Sequence, residues 1–155
     1  MAQDTDMIVR SIRPEDTEQW LTMRLALWPE TDPPRHRKEM VMMRSNPERL
    51  GVFVCEDGQG ALIGFAEVSL REWAEGCESS PVGYLEGWFV EPANQRQGVG
   101  AQLMQAAEDW ARSRGCTEMA SDTNLGNKAS EAAHLKLGYE VAAEVIAFRK
   151  TLTPR

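Results

Sequence analysis

Gln95-Arg96-Gln97-Gly98-Val99-Gly100 is the most informative stretch of the chain, because a predicted strand precedes it and a predicted helix follows it. The segment before it, Tyr84 to Val90, is apolar and ends at Glu91-Pro92. After it, from about Gly98 to Arg114, apolar residues recur at helical spacing, namely Val99, Leu103, Ala106, Ala107 and Trp110. Backbone N–H groups converge at a helix N-terminus, and the helix dipole there favours negative charge. The stretch therefore predicts a pyrophosphate site.

Composition indicates one folded domain spanning residues 1–155, with residues 1–6 flexible. The chain has 155 residues, of which 42% are hydrophobic, and it contains five tryptophans. This is enough chain to bury a core. No apolar run approaches the roughly 20 residues of a membrane-spanning helix, and we expect no membrane partner.

Cysteine usage and charge narrow the location and the partners. Cys55, Cys77 and Cys116 lie far apart without a CxxC pair, which predicts neither disulfides nor a metal site and favours a reducing cytoplasm. The net charge is −7, and no basic patch is present, so we expect no nucleic-acid partner. An acidic surface attracts cationic small molecules.

Periodicity predicts a mixed α/β (α+β) fold with element order β-α-α-β-β-β-α-β-α-β. The predicted helices begin at Pro14, at Arg35, near Gly98 and at Asn127. The predicted strands cover Met7–Ile12, Gly51–Cys55, Ala61–Trp73, Tyr84–Val90, Glu118–Ser121 and Val141–Phe148. Gly87 indicates a bulge within its strand.

Three classes of protein place a phosphate on such a loop. A P-loop requires a lysine at the helix entry, where this chain has Ala101-Gln102. A Rossmann site requires a third glycine where Leu103 stands, and it requires the glycines to follow the strand directly. The third class binds coenzyme A.

The third class matches over most of the chain. Phe89-Val90-Glu91-Pro92 followed by Gln95-x-x-Gly98-x-Gly100, together with Asn127 and Leu137-Gly138-Tyr139, resembles the GNAT superfamily of acyl-CoA-dependent N-acyltransferases. The resemblance implies a mostly antiparallel sheet of about six to seven strands, splayed between strands 4 and 5 and flanked by about four helices. It also implies acetyl-CoA as cosubstrate. Its binding residues would be Phe89, Val90, Gln95, Arg96, Gln97, Gly98, Val99, Gly100 and Asn127.

Acetyl transfer to an amine requires a group that accepts the amine proton. Glu86 is one candidate, because a carboxylate in an apolar strand is partly desolvated; the alternative is a sheet-face glutamate paired with an arginine. Asp122, after the fifth strand, is the second candidate. Many GNAT enzymes place a tyrosine acid four residues before the glycine of the Leu-Gly motif, and this chain has His134 there. His134 is the candidate acid, although a packing role is equally compatible with the sequence.

Longer stretches, including Ser80–Gly87 and Cys116–Asp122, resemble bacterial aminoglycoside 6'-N-acetyltransferases. The resemblance implies a resistance enzyme whose polycationic substrate lies among carboxylates and an aromatic wall, and a homodimer. The candidate substrate-binding residues are Trp28, Asp32, Glu67, Glu72, Glu86 and Asp122, with Trp73 a weaker candidate. Two alternatives stay open: a GNAT enzyme for another amine (a polyamine, a protein N-terminus or a lysine), and a non-catalytic acyl-CoA sensor.

Overall fold

The computed structural model describes residues 6–155. Asp6 is exposed and outside regular structure, and the rest of the segment expected to be flexible, residues 1–5, lies outside the described residues. The chain divides into two compact units, the first ending at Asp122 and the second running from Thr123 to Arg155. Within residues 6–155 no helix is long and apolar enough to cross a membrane.

The first unit contains five strands and three α-helices among its described residues. A 3-10 turn at Pro14–Asp16 leads into the first α-helix. The elements are, in chain order, β1 (Ile8–Ser11), α1 (Thr17–Leu27), α2 (Pro33–Ser45), β2 (Leu50–Glu56), β3 (Leu62–Arg71), β4 (Val82–Val90), α3 (Val99–Ser113) and β5 (Met119–Ser121).

The strands form one sheet in the order β1-β2-β3-β4-β5. β1 to β4 pair antiparallel, and β5 pairs parallel to β4. The predicted mixed fold is confirmed, but the sheet has five strands where about six to seven were expected.

The predicted splay lies between β4 and β5. These strands pair over three positions only, from Gly83↔Met119 to Leu85↔Ser121, whereas β4 continues to Val90. The β3–β4 register also shifts, since Glu67 pairs with Gly87 and Val68 pairs with Leu85. Glu86 is therefore the extra residue of a bulge, which confirms the bulge predicted beside Gly87.

Helices cover both faces of the sheet. α3 packs against one face through its apolar stripe, where Gly51 and Gly64 leave room for Trp110 and Leu103 respectively. On the other face, Trp20 and Met23 of α1 and Met40 of α2 are buried in one hydrophobic cluster with residues of β2 and β3. β3 is therefore buried on both faces over most of its length.

The second unit contains one helix, α4 (Lys128–Lys136), within its described residues. Asn127 caps it by accepting a hydrogen bond from Ser130 N at 3.1 Å, as the sequence predicted. Residues 139–155 have no regular secondary structure, so the strand predicted at Val141–Phe148 is wrong for the single chain. Val145, Ile146 and Phe148 are exposed there, and a strand without a partner has no ladder hydrogen bonds to stabilise it.

Candidate active site

A cavity of about 520 Å³ opens in the first unit between α1, α2 and the bulged part of the sheet. Three carboxylates line it, Glu39, Glu67 and Glu86. The other lining residues are Arg24, Trp28, Thr31, Met42, Met43, Leu50 and Ser69. The cavity is thus acidic with an apolar and aromatic wall.

Glu67 is the buried carboxylate of this cavity, with 2% of its surface exposed. It accepts a hydrogen bond from Trp20 Nε1 at 2.9 Å, and its Oε2 lies 3.5 Å from Arg24 Nε. Burial raises the pKa of Glu67 to about 7, and the positive charge of Arg24 limits the rise. Arg24 also donates to Glu39 at 2.8 Å.

Trp28 forms the aromatic wall and is held on several sides. Its ring stacks on His36 with a centroid separation of 6.3 Å, and the Arg24 guanidinium lies 4.8 Å from its centroid. A Cβ at Gly87 would lie 2.5 Å from Trp28 Cη2, so the indole occupies space that only a glycine leaves open. His36 Nε2 lies 3.2 Å from Trp28 O.

Glu86 is engaged by neighbours on β3. Its Oε2 accepts from Ser69 Oγ at 2.6 Å and from Arg71 Nε at 2.9 Å, and its Oε1 accepts from Arg71 Nη2 at 2.8 Å. Its side chain is 32% exposed. The sequence predicted a desolvated carboxylate at Glu86, but the buried carboxylate is Glu67. Glu86 instead forms an ion pair with Arg71, which was the alternative interpretation of the sequence.

Asp122 is linked to Glu86 through two side chains. Tyr84 Oη donates a hydrogen bond to Asp122 Oδ2, and the Arg71 guanidinium lies 3.5 Å from the centroid of the Tyr84 ring. The two candidate proton acceptors are therefore connected, although Glu86 lies on β4 and Asp122 follows the end of β5.

Four of the candidate substrate residues lie outside the cavity lining, namely Asp122, whose Oδ2 accepts from Tyr84, and Asp32, Glu72 and Trp73. Asp32 caps α2 by accepting from Arg35 N at 2.9 Å. The side chain of Glu72 is 72% exposed, with Arg49 at 3.9 Å. Trp73 is 66% exposed. The structure accounts for Asp32 as a helix cap and for Glu72 and Trp73 as surface residues, without a ligand.

The loop before α3 has the backbone expected of an anion site. Arg96 and Gly98 have positive φ angles of 66° and 86°, and Gly98 is the N-cap of α3 without a side-chain cap. The first intrahelical bond runs from Gln102 N to Gly98 O at 3.0 Å, so the amides of Val99, Gly100 and Ala101 precede it. A 15-residue helix without a side-chain cap presents these amides to an anion.

Gly100 has a packing role in the same loop. A Cβ there would lie 3.3 Å from Trp88 Cζ2, and Trp88 Nε1 donates to Gly100 O at 3.0 Å. Gln95 Nε2 donates to Val90 O at 3.3 Å, which ties the loop to the end of β4. Phe89 packs against Phe65 with ring centroids 6.0 Å apart.

In the second unit, His134 is held by its own helix. Its Nδ1 lies 2.7 Å from Ser130 O, a geometry in which Nδ1 carries the proton. Its ring meets Tyr139 edge-on at 5.7 Å between centroids. Among residues 6–155 no group of His, Cys, Asp and Glu is arranged to hold a metal ion.

Comparison with known proteins decides the family. The profile of the Acetyltransferase (GNAT) family matches residues 12–139 of the chain. The chain belongs to this family. The GNAT resemblance predicted from the sequence is confirmed.

Two close relatives of this GNAT chain are named for the same enzymatic activity. An aminoglycoside N(6')-acetyltransferase type 1 of Klebsiella aerogenes is 46% identical over 96% of this chain and 99% of the relative. One of Serratia marcescens is 40% identical over 89% of this chain and 94% of the relative.

A solved structure with a related fold contains a bound ligand. AAC(6')-Iy in complex with a bisubstrate analogue, CoA-S-monomethyl-acetylneamine, superposes with a TM-score of 0.89 at 36% identity. The match covers 95% of this chain and 99% of that chain.

Sequence reasoning missed several residues of this GNAT site, namely Arg24, Glu39, Ser69, Arg71 and Tyr84. A signal for two of them was present, because Glu67, Ser69 and Arg71 alternate along β3 and so share one face. Arg24 and Glu39 come from two helices, and nothing in their local sequence indicates that both face Glu67.

Proposed function

We propose that this GNAT acetyltransferase transfers the acetyl group of acetyl-CoA to the 6'-amino group of aminoglycoside antibiotics and so confers resistance. The observation that supports this best is the acidic cavity with its aromatic wall, where Glu39, Glu67 and Glu86 stand beside Trp28. An aminoglycoside has several ammonium groups on a sugar framework, and such a surface complements it. The names of the relatives agree with this substrate.

Acetyl-CoA is the cosubstrate of this proposal, and the α3 N-terminus fits its pyrophosphate. The amides of Val99 and Gly100 precede the first intrahelical bond, and Arg96 adds positive charge in the same loop. The pantetheine arm would run along β4 at Phe89 and Val90, where β4 extends beyond its pairing with β5. Asn127 would contact the coenzyme, in addition to capping α4.

We propose direct attack of the amine on the thioester in a ternary complex. An alkylammonium with a pKa of about 10 has no free lone pair, so a carboxylate must accept its proton. Glu86 and Asp122 are the candidates. The Val90 amide would donate to the carbonyl oxygen as negative charge develops there. His134 would protonate the departing sulfur.

A single assay separates this function from its alternatives. We would measure CoA-thiol release from acetyl-CoA with kanamycin, tobramycin, spermidine and a lysine-containing peptide. Release with the two drugs alone is the expected result. Release with spermidine or the peptide alone would show that the proposed substrate is wrong and that the acetyl-transfer reaction is right. Coenzyme binding by calorimetry without release for any amine would favour the sensor.

We also propose that the chain acts as one functional domain, as a homodimer and in the cytoplasm. The family match spans both compact units, which supports a single domain. The exposed apolar side chains of the last segment, Val141, Val145, Ile146, Phe148 and Leu152, support burial against a second copy. Cys55 and Cys116 are buried free thiols, which suits a reducing compartment.

A further inference from the structure

Four side chains form a continuous chain of contacts beside the cavity, Glu86, Arg71, Tyr84 and Asp122. Arg71 pairs with Glu86 through two parallel hydrogen bonds of 2.9 and 2.8 Å. The same guanidinium stacks on the Tyr84 ring at 3.5 Å from its centroid. Tyr84 then donates its hydroxyl to Asp122 Oδ2. Arg71 and Tyr84 thus connect the two carboxylates.

The two carboxylates differ in the acceptor capacity that these contacts leave. Both oxygens of Glu86 accept hydrogen bonds, from Ser69 and Arg71 at Oε2 and from Arg71 at Oε1. Tyr84 occupies only Oδ2 of Asp122, and Oδ1 accepts no hydrogen bond from the described residues. An incoming amine therefore meets a neutralised Glu86 and a half-open Asp122.

Tyr84 is suited to hold Asp122 permanently. It lies on β4 with 8% of its surface exposed. Burial raises the pKa of Tyr84 well above its ordinary value, and the hydrogen bond to Asp122 raises it further. The phenol thus remains a donor throughout the working pH range.

We propose that Arg71 and Tyr84 are positioning residues. Arg71 pairs with Glu86 and so prevents this carboxylate from binding the substrate amine. Tyr84 orients Asp122 so that its Oδ1 binds the amine. This inference rests on the proposed function, because the amine is the substrate of that reaction. Arg71 also makes the site specific for one amine geometry, since a second open carboxylate would offer the cation a competing position.

Each residue has a test that separates positioning from structural support. In Tyr84→Phe we expect kcat with kanamycin to fall by about tenfold, the effect of one hydrogen bond to a charged group. In Arg71→Gln we expect KM for kanamycin to fall, because Glu86 becomes an open anion. We expect kcat of that variant to fall about tenfold, because the amine is drawn away from Asp122. A loss of structure alone does not lower KM and kcat together.

Double-mutant cycles then identify the partner of each residue. Tyr84→Phe should have no further effect in an Asp122→Asn background, and Arg71→Gln none in a Glu86→Gln background. Additive effects in both cycles would overturn the proposal, as would an Arg71→Gln variant with wild-type kcat. Both cycles can also be measured without turnover, by using calorimetry to determine the affinity of the CoA-bound protein for kanamycin.

The matched control is Arg112→Gln, which removes an exposed arginine that pairs with Asp109 at 2.8 Å on α3. We expect it to keep wild-type kinetics. Arg71→Lys retains the charge and loses the two-pronged contact, so it replaces Arg71→Gln if that variant does not fold, and a smaller change in the same direction is expected because Glu86 stays partly neutralised. A wild type that neither binds nor acetylates kanamycin overturns the proposed function and this inference together. An active wild type with additive cycles overturns only the inference.

Discussion

Gly87 and Trp28 determine the shape of the cavity wall at the scale of single residues. In Gly87→Ala the new Cβ would lie 2.5 Å from Trp28 Cη2, and the indole is already held by His36 and Arg24. We expect the indole to move and KM for kanamycin to rise about tenfold, with a loss of roughly 1–3 kcal/mol in unfolding free energy from overpacking. Steady-state kinetics and urea denaturation measure the two effects.

Gly58→Ala is the control for this substitution. A Cβ at Gly58 would meet its nearest atom at 3.6 Å, an ordinary contact, in the turn between β2 and β3. It should retain wild-type kinetics. If Gly87→Ala keeps the wild-type KM, Trp28 is not part of the drug site.

Glu67 predicts how stability varies with pH. Burial raises its pKa to about 7 from 4.5, so the folded chain retains a proton that the unfolded chain has released. Stability from this group is therefore complete below about pH 4.5 and is lost as the pH rises to about 7, by at most about 1.4 kcal/mol per pH unit. Glu67→Gln should remove this decline, and denaturant unfolding at several pH values measures it.

Asp16 provides a comparison of opposite sign. Hydrogen bonding to Arg10 holds the pKa of Asp16 below its usual value of 3.8, so its contribution to stability is lost as the pH falls below that value. Asp16→Asn should change only the acid side of the profile. Identical slopes between pH 4.5 and 7 for wild type and Glu67→Gln would contradict the assignment to Glu67.

The turn before α3 is the element on which coenzyme binding depends. Gly98→Val should weaken acetyl-CoA binding by more than about tenfold, since a side chain is strained at φ 86° and the change displaces the helix N-terminal amides. Isothermal calorimetry measures the affinity.

Gly60→Val is a control with matched backbone strain. Gly60 has φ 85°, and a Cβ at either glycine has open space around it, so the two substitutions should cost similar stability. Only Gly98→Val should weaken the binding of acetyl-CoA. Equal affinities in the two variants would show that the α3 N-terminus does not bind the pyrophosphate.

Local patterns predicted most of the elements. α3 follows from its apolar stripe and β4 from its apolar run, and the structure matches both to within about two residues. The stripe extends further than predicted, because Met104 and Ala111 are also buried. The bulge was signalled by Gly87, but the residue that it displaces, Glu86, follows only from the pairing with β3.

At the scale of the whole molecule, the exposed apolar side chains after residue 140 predict a homodimer. We expect the full chain to sediment as a dimer and a chain ending at residue 140 to sediment as a monomer, because the deletion removes the exposed Val145, Ile146 and Phe148. Phe148→Glu, at a side chain that is 91% exposed, should weaken the dimer without unfolding the chain. A monomeric full chain in sedimentation velocity would exclude the homodimer.

The family, the mixed sheet and the loop that precedes α3 could be predicted from the amino-acid sequence, because each is signalled by short motifs and by the local spacing of apolar residues. The partners of the carboxylates could not be predicted in this way and follow from the three-dimensional packing. Glu67 is buried between α1 and β3, Glu86 pairs with Arg71 across the strands, and Asp122 accepts from Tyr84. A carboxylate takes its chemical character from its neighbours in space, and those neighbours are set by strand register and helix packing.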